Sequence, residues 1–173
     1  CIRDSKYIME YNKQRGVFAI HKEDGFNFEE CYEISQTQDK DFASIEGCEV
    51  ISNEDFFAAD VDVIIPAALE NAITTENVNS IKAKIIVEGA NGPITKDADE
   101  ILNEKNVVIV PDILANSGGV TVSYFEWVQN KAGYYWSEKE VRDKEYQLIK
   151  KSFDEIWKLS EKLNITLRQA AYV

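Results

Sequence analysis

Three short runs dominated by apolar residues, at 61–65, 85–87 and 107–110, stand out along the chain, each rich in valine and isoleucine and only the first interrupted, by Asp62. Near-continuous apolarity over so few residues is expected of strands buried on both faces, which are parallel and covered by helices. The segments between them have helical length and open on capping residues. Thr74 precedes residues 75–81, and Thr95 precedes residues 96–104, whose Asp97 and Asp99 suit the positive end of a helix dipole. The predicted order is strand, helix, strand, helix, strand.

After Gly118 the pattern is helical to the end. Ser137 and Glu140 have the spacing of a capping box, and Val141, Leu148, Ser152, Phe153, Ile156, Leu159 and Leu163 recur at helical intervals. Residues 138–162 therefore form one long amphipathic helix, whose apolar stripe invites association if left uncovered. Thr166 caps a further segment at 167–173. The fold class is α/β, part of a doubly wound parallel sheet followed by a C-terminal helical segment, with the division at residues 1–116 and 117–173. In such sheets crossovers are right-handed and ligands bind beyond the carboxyl ends of the strands. The loops at 66–68, 88–93 and 111–119 lie there. The last two carry Glu88-Gly89-Ala90-Asn91-Gly92-Pro93 and Ala115-Asn116-Ser117-Gly118-Gly119.

Composition narrows the chemistry. With 173 residues, 45% of them hydrophobic and 11% aromatic, the chain can bury the core of one ordinary domain. Nineteen basic against thirty-one acidic residues give a net charge of -12, and Lys150-Lys151 is the only adjacent basic pair, which argues against a nucleic-acid partner. Three widely spaced cysteines, Cys1, Cys31 and Cys48, suggest no disulfide framework, and no apolar stretch approaches a membrane span. A reduced, cytoplasmic setting fits, with Thr166 of Asn164-Ile165-Thr166 read as a helix cap rather than part of a glycosylation acceptor. His21, the only histidine, lies in a polar hairpin-like region at residues 16–25 and is expected at the surface. One histidine gives little material for a Ser-His-Asp triad or a metal centre, and no metal is expected.

Neither Gly-x-x-x-x-Gly-Lys nor Gly-x-Gly-x-x-Gly is present. The opening Cys1-Ile2-Arg3-Asp4-Ser5-Lys6 reads as the end of a strand and a turn, with Asp4 where an acidic residue would hold ribose hydroxyls. The chain is thus expected to begin within a domain.

Asp4-Ser5-Lys6, Asp62-Val63-Ile64-Ile65-Pro66-Ala67-Ala68-Leu69-Glu70, the segments 87–93 and 111–120, and Thr166-Leu167-Arg168-Gln169-Ala170-Ala171-Tyr172-Val173 together resemble glutamate dehydrogenase in order and approximate spacing. The likeness spans nearly the whole chain, is weak at residues 17–43, and is most specific at Glu-Gly-Ala-Asn-Gly-Pro. Branched-chain and phenylalanine dehydrogenases usually vary that element. The resemblance implies a Rossmann-like dinucleotide domain lacking its first strand and glycine turn, followed by helices returning toward a substrate domain.

It also implies roles. Asp4 and Ser5 would lie at the adenine ribose, Ala67 and Ala68 along the dinucleotide, Gly89, Ala90 and Asn91 near the nicotinamide ribose, and Asn116 at the nicotinamide carboxamide. Val120 and Ser123 would meet the substrate, Ser123 by bonding its side-chain carboxylate. The implied reaction is reversible oxidative deamination of L-glutamate to 2-oxoglutarate and ammonia. Asp4 favours NAD, while Arg3 and Lys6 could accommodate the 2'-phosphate of NADP. The family's catalytic lysine and aspartate belong to segments ahead of Cys1, so no catalytic residue is nominated. Family members are usually homohexamers, and the isolated piece is expected to be inactive; the alternative is a non-catalytic truncated binding or assembly module.

Plainer readings stand beside these. Asn91 and Asn116 could each close an ordinary turn, Asp4 could be a turn former, Glu88 a solvated rim residue, and Ser123 bonded to its own helix. Tyr124, Phe125, Trp127, Tyr134, Tyr135 and Trp136 read as packing between domains rather than a stacking platform.

Overall fold

A computed structural model describes residues 5–12, 16–37 and 41–173. Asp4 lies outside the described residues. The chain divides into two compact units, Cys1–Asp60 with Asn79–Lys82, and Val61–Val78 with Ala83–Val173.

The first unit is built on an antiparallel sheet that the apolar pattern did not announce. Strand β1 (Tyr7–Asn12) pairs with β2 (Gly16–His21), and β2 pairs with β3 (Glu49–Ile51). Phe18 and Ile20 of β2 project into one cluster with Phe26, Cys31 and Ile45, against which Ile8, Ile34, Phe42, Ala43 and Cys48 pack. Helix α1 (Phe28–Ser35) opens on Asn27, whose side chain accepts from Glu30 N. Burial pushes the Cys31 and Cys48 thiols above their ordinary pKa. Helix α2 (Asn53–Phe57), capped by Ser52, follows β3. His21 is not the free surface residue expected. Its side chain is 16% exposed, stacks on Tyr7 at 4.5 Å between centroids, and places Nδ1 2.8 Å from Glu49 Oε1. The β-strand setting aligns it with Tyr7 across the ladder and so shields it partly from water.

The second unit carries the predicted parallel sheet, with β4 (Val63–Ile64), β5 (Ile85–Val87) and β6 (Val108–Val110) side by side in that order. Only one face of it is fully buried. Ile64, Ile86 and Ile109 are closed off, whereas Val63, Ile65 and Ile85 are 44%, 52% and 37% exposed. The expectation of burial on both faces therefore fails at β4 and the start of β5, because the side-chain period of two sends alternate residues to an open side.

The β5–β6 connection is helix α3 (Lys96–Glu104), as predicted, with Asp97 and Asp99 in its first turn. No helix forms at residues 75–81. Asn77 Oδ1 accepts from Thr74 N, Asn77 Nδ2 donates to Ala72 O, and Thr74 Oγ1 accepts from Glu76 N, so side chains take backbone groups that a helix would have used. The result is a run of turns ending in the i to i+4 bond from Val78 N to Thr74 O.

Beyond β6 come the short α4 (Asp112–Ala115), then α5 (Gly118–Ala132), α6 (Glu138–Leu163) and α7 (Leu167–Ala171). The Ser137 capping box and the long helix are as expected, and Thr166 with Gln169 makes a second capping box at α7. Left-handed residues stop two of these helices, Gly133 after α5 (φ 64°) and Asn164 after α6 (φ 53°). Helix α6 has no fully buried residue, but it packs along α4, α5 and α7, so its apolar stripe is partly covered within the chain. Among the described residues no helix is long and apolar enough to cross a membrane. Of the aromatic group, Phe125 is buried and meets Trp136 edge-on, while Tyr124, Trp127, Tyr134 and Tyr135 are exposed.

Because α6 has so little buried surface, its cap should carry visible weight. Ser137→Ala is expected to destabilise the second unit by about 1 kcal/mol. That corresponds to a fall of roughly 2–4 °C in the thermal midpoint by circular dichroism for a chain of this size.

Candidate functional site

The carboxyl ends of the three parallel strands carry loops that are bonded to one another. After β4, Pro66 O accepts from Ala90 N at 2.9 Å, joining the first loop to the second. Gly89 sits against Ala67 so closely that a Cβ built on the glycine would lie 3.0 Å from Ala67 Cβ. Glycine is needed here for approach rather than for a special φ. Past Asn91, Gly92 does require its left-handed conformation (φ 53°), and its carbonyl accepts from Asn71 N.

The second and third loops meet through their amides. Asn116, the residue that closes α4, donates from Nδ2 to Asn91 Oδ1 at 2.7 Å and lies 3.5 Å from Gly89 O. The pairing uses one amide as donor and the other as acceptor. It leaves Asn116 Oδ1 and Asn91 Nδ2 without a described protein partner, an acceptor and a donor on neighbouring residues. A primary carboxamide presents the complementary pair.

Beneath this rim lies a buried ionic cluster. Glu88 is wholly inaccessible, and Arg168 on α7 grips it with two parallel bonds, Nη1 to Oε2 at 3.0 Å and Nη2 to Oε1 at 2.7 Å. The same guanidinium donates to Asp99 Oδ1 from Nε and Nη2, and Nη1 stands 3.8 Å from Asp112 Oδ1. Burial opposes the charge on Arg168, but the bonds and charges of Glu88 and Asp99 outweigh it and hold its pKa above the ordinary value. Glu88 Oε2 also accepts from Asp112 N at 2.8 Å, and Asp112 Oδ2 in turn accepts from Gly92 N at 2.8 Å. A cavity of about 180 Å³ opens beside Arg168, away from the amides, between α3, β6 and the end of α6.

A family profile described as glutamate/leucine/phenylalanine/valine dehydrogenase matches residues 13–173. The chain belongs to that family. Among relatives of this dehydrogenase family, the NAD-specific glutamate dehydrogenase of Clostridioides difficile is 50% identical over 166 residues, which are 96% of this chain and 39% of that protein. The crystal structure of glutamate dehydrogenase from Peptoniphilus asaccharolyticus superposes with a TM-score of 0.79 at 37% identity, covering 98% of this chain and 37% of that one. A hetero-hexameric glutamate dehydrogenase from Thermus thermophilus gives 0.79 at 26% identity, with 88% and 36% covered. The chain thus spans about two fifths of the length of its curated relatives.

Of the residues the sequence nominated, Ala67, Gly89, Ala90, Asn91 and Asn116 come together at the rim. Ala68 lies in the same loop as Ala67 and is exposed. Val120 and Ser123 stand on α5, both exposed, and Ser123 Oγ donates to Gly119 O at 2.9 Å, the plainer of its two readings. Ser5 belongs to the first unit, where its Oγ donates to Tyr7 O at 3.0 Å.

Glu88 is not a solvated rim residue, since burial and Arg168 claim it. Arg168, Asp99 and Asp112 were not nominated as site residues at all. The signal available for Glu88 was a carboxylate directly following a buried strand, a position that requires a cation, and Arg168 is the only arginine of the last turns.

Two outcomes follow for stability. Gly89→Ala should cost about 1–3 kcal/mol by overpacking, largely restored by adding Ala67→Gly; a neutral Gly89→Ala in urea denaturation would remove the steric role. Arg168→Met should cost about 3–5 kcal/mol by stranding the Glu88 carboxylate, with at least half recovered in the double variant carrying Glu88→Gln.

Proposed function

We propose that this chain forms most of the dinucleotide-binding half of an NAD-dependent glutamate dehydrogenase, which interconverts L-glutamate and 2-oxoglutarate with ammonia. The observation that carries this reading is the Asn116–Asn91 amide pair at the rim of a parallel sheet, in a chain half identical to an NAD-specific glutamate dehydrogenase. The free acceptor and donor of that pair suit the nicotinamide carboxamide. The NAD these residues would hold supplies the hydride acceptor for oxidation at the substrate's alpha carbon.

The chain's own residues would bind and orient. Gly89, Ala90 and Asn91 offer the nicotinamide ribose a close backbone approach, because Gly89 has no side chain and Ala67 fills the space behind it. Ala67 and Ala68 present a small-residue surface along the dinucleotide, and Asp4 with Ser5 would take the adenine ribose. Val120 would flank the substrate. Ser123 would hold the substrate's side-chain carboxylate by turning its hydroxyl away from Gly119 O. Residues 1–116 would then serve the cofactor and residues 117–173 lead back toward a substrate domain. A cytoplasmic homohexamer is the assembly proposed for the complete enzyme, and NAD is favoured over NADP through Asp4.

The test is made on a complete protein carrying this chain. NAD-linked oxidation of L-glutamate, much faster than with NADP, is the expected result, and absence of turnover with either cofactor would favour a non-catalytic binding module. In that protein Ser123→Ala should raise the KM for glutamate by removing a carboxylate bond of about 1.5–3 kcal/mol, with kcat little changed. Unaltered kinetics would remove Ser123 from the substrate site.

A further inference from the structure

We propose that Arg168 is the positioning residue for the Asn91–Asn116 amide pair, acting through Glu88 and Asp112 although none of its own donors reaches either amide. The functional consequence rests on the dinucleotide reading above; the structural coupling does not.

The two amides arise on different loops, so their alignment depends on what fixes the 88–92 loop against α4. Asp112 does this from both ends, donating its own N–H to Glu88 and accepting from Gly92 N. Its position passes to Asn116 in one turn, because Asn116 N bonds Asp112 O at 3.0 Å. Asp112 is therefore the hinge pin, and the atom that fixes it is Glu88 Oε2.

Glu88 keeps that orientation only while its charge is matched. Buried as it is, the carboxylate has a single cation in reach among the described residues, Arg168, whose fork engages both oxygens. Asp99 fixes the other edge of the guanidinium, so the plane of the fork is set before it meets Glu88. A point charge could neutralise Glu88 but could not hold it in that plane. Arg168 stands 80 residues from Glu88 in the chain and is carried by α7. The alignment of the amides is thus tied to the guanidinium that α7 carries rather than to the cap that starts the helix.

The experiment has two arms. In the 173-residue chain, the side-chain amide protons of Asn116 are followed by NMR for the native sequence, Arg168→Lys, Arg168→Met and Gln169→Ala. The last weakens the start of α7 by removing the side-chain half of its capping box, the bond from Thr166 N to Gln169 Oε1, without touching the arginine. Arg168→Lys should shift those resonances and speed their exchange with solvent, while Gln169→Ala lowers the thermal midpoint and leaves them in place. Unmoved resonances in Arg168→Lys, or equal movement in Gln169→Ala, overturn the proposal.

In the complete enzyme, Arg168→Lys should lower kcat about ten- to hundredfold, as expected of a small misplacement near the reacting centre, with a smaller change in the KM for glutamate. In a cycle with Asn116→Ala the two losses should not add, because both act on one pair. Additive losses overturn the positioning role. An Asn116→Ala enzyme with native kcat and NADH affinity overturns the dinucleotide reading instead, and the resonances of the first arm still decide whether Arg168 sets the pair.

Discussion

The bidentate bond between Arg168 and the buried Glu88 holds the second unit's rim in order. Its exposed counterparts along α6, such as Lys139 with Asp143 and Lys150 with Asp154, are shorter or similar in length yet contribute little, since water screens both partners and flexible side chains must be frozen. Glu88 has no water to fall back on. Breaking its pair leaves an uncompensated charge, which is why one bond among many similar distances governs the geometry.

From that bond the rest of the site is a short chain of consequences. Glu88 fixes Asp112, Asp112 fixes Gly92 and the first turn of α4, and the two asparagines follow. Each link is a charge-assisted bond to a backbone N–H or a single helical turn, both stiff. The amides themselves are held by one bond of 2.7 Å and remain partly open to solvent, as a ligand-facing pair must be.

How much of this could be read from the residues differs by the range of the interaction. Local signals were legible: the apolar runs gave the three parallel strands, and Ser137 and Thr166 marked helix starts that the backbone adopts. The proximity of the asparagine loops followed from strand order alone, since parallel neighbours bring their carboxyl ends together. The turn at residues 74–80 was misread because Thr74 caps equally well before a helix or a turn, and Asn77 tips the balance through its own side chain. The antiparallel sheet was obscured by the polar residues that interrupt β1 and the hairpin, where His21 stacks on Tyr7 and bonds Glu49. The Arg168–Glu88 pair leaves no periodic trace, for an ion pair between distant segments has no spacing rule to betray it.

The open face of the parallel sheet has a bearing on solubility. Strand β4 pairs only with β5 among the described strands and shows apolar side chains on both sides, so burial alone does little to forbid its recruitment by another chain. Two neighbours guard it. Asp62, paired with Lys84, sets a charge at its entrance, and Pro66 removes an N–H donor just past its exit. Such flanking residues act as gatekeepers against fibril-like stacking. Replacing Asp62 by an apolar residue would lengthen the uninterrupted apolar run from residues 63–65 to residues 61–65 and favour self-association, at a position remote from the asparagine rim.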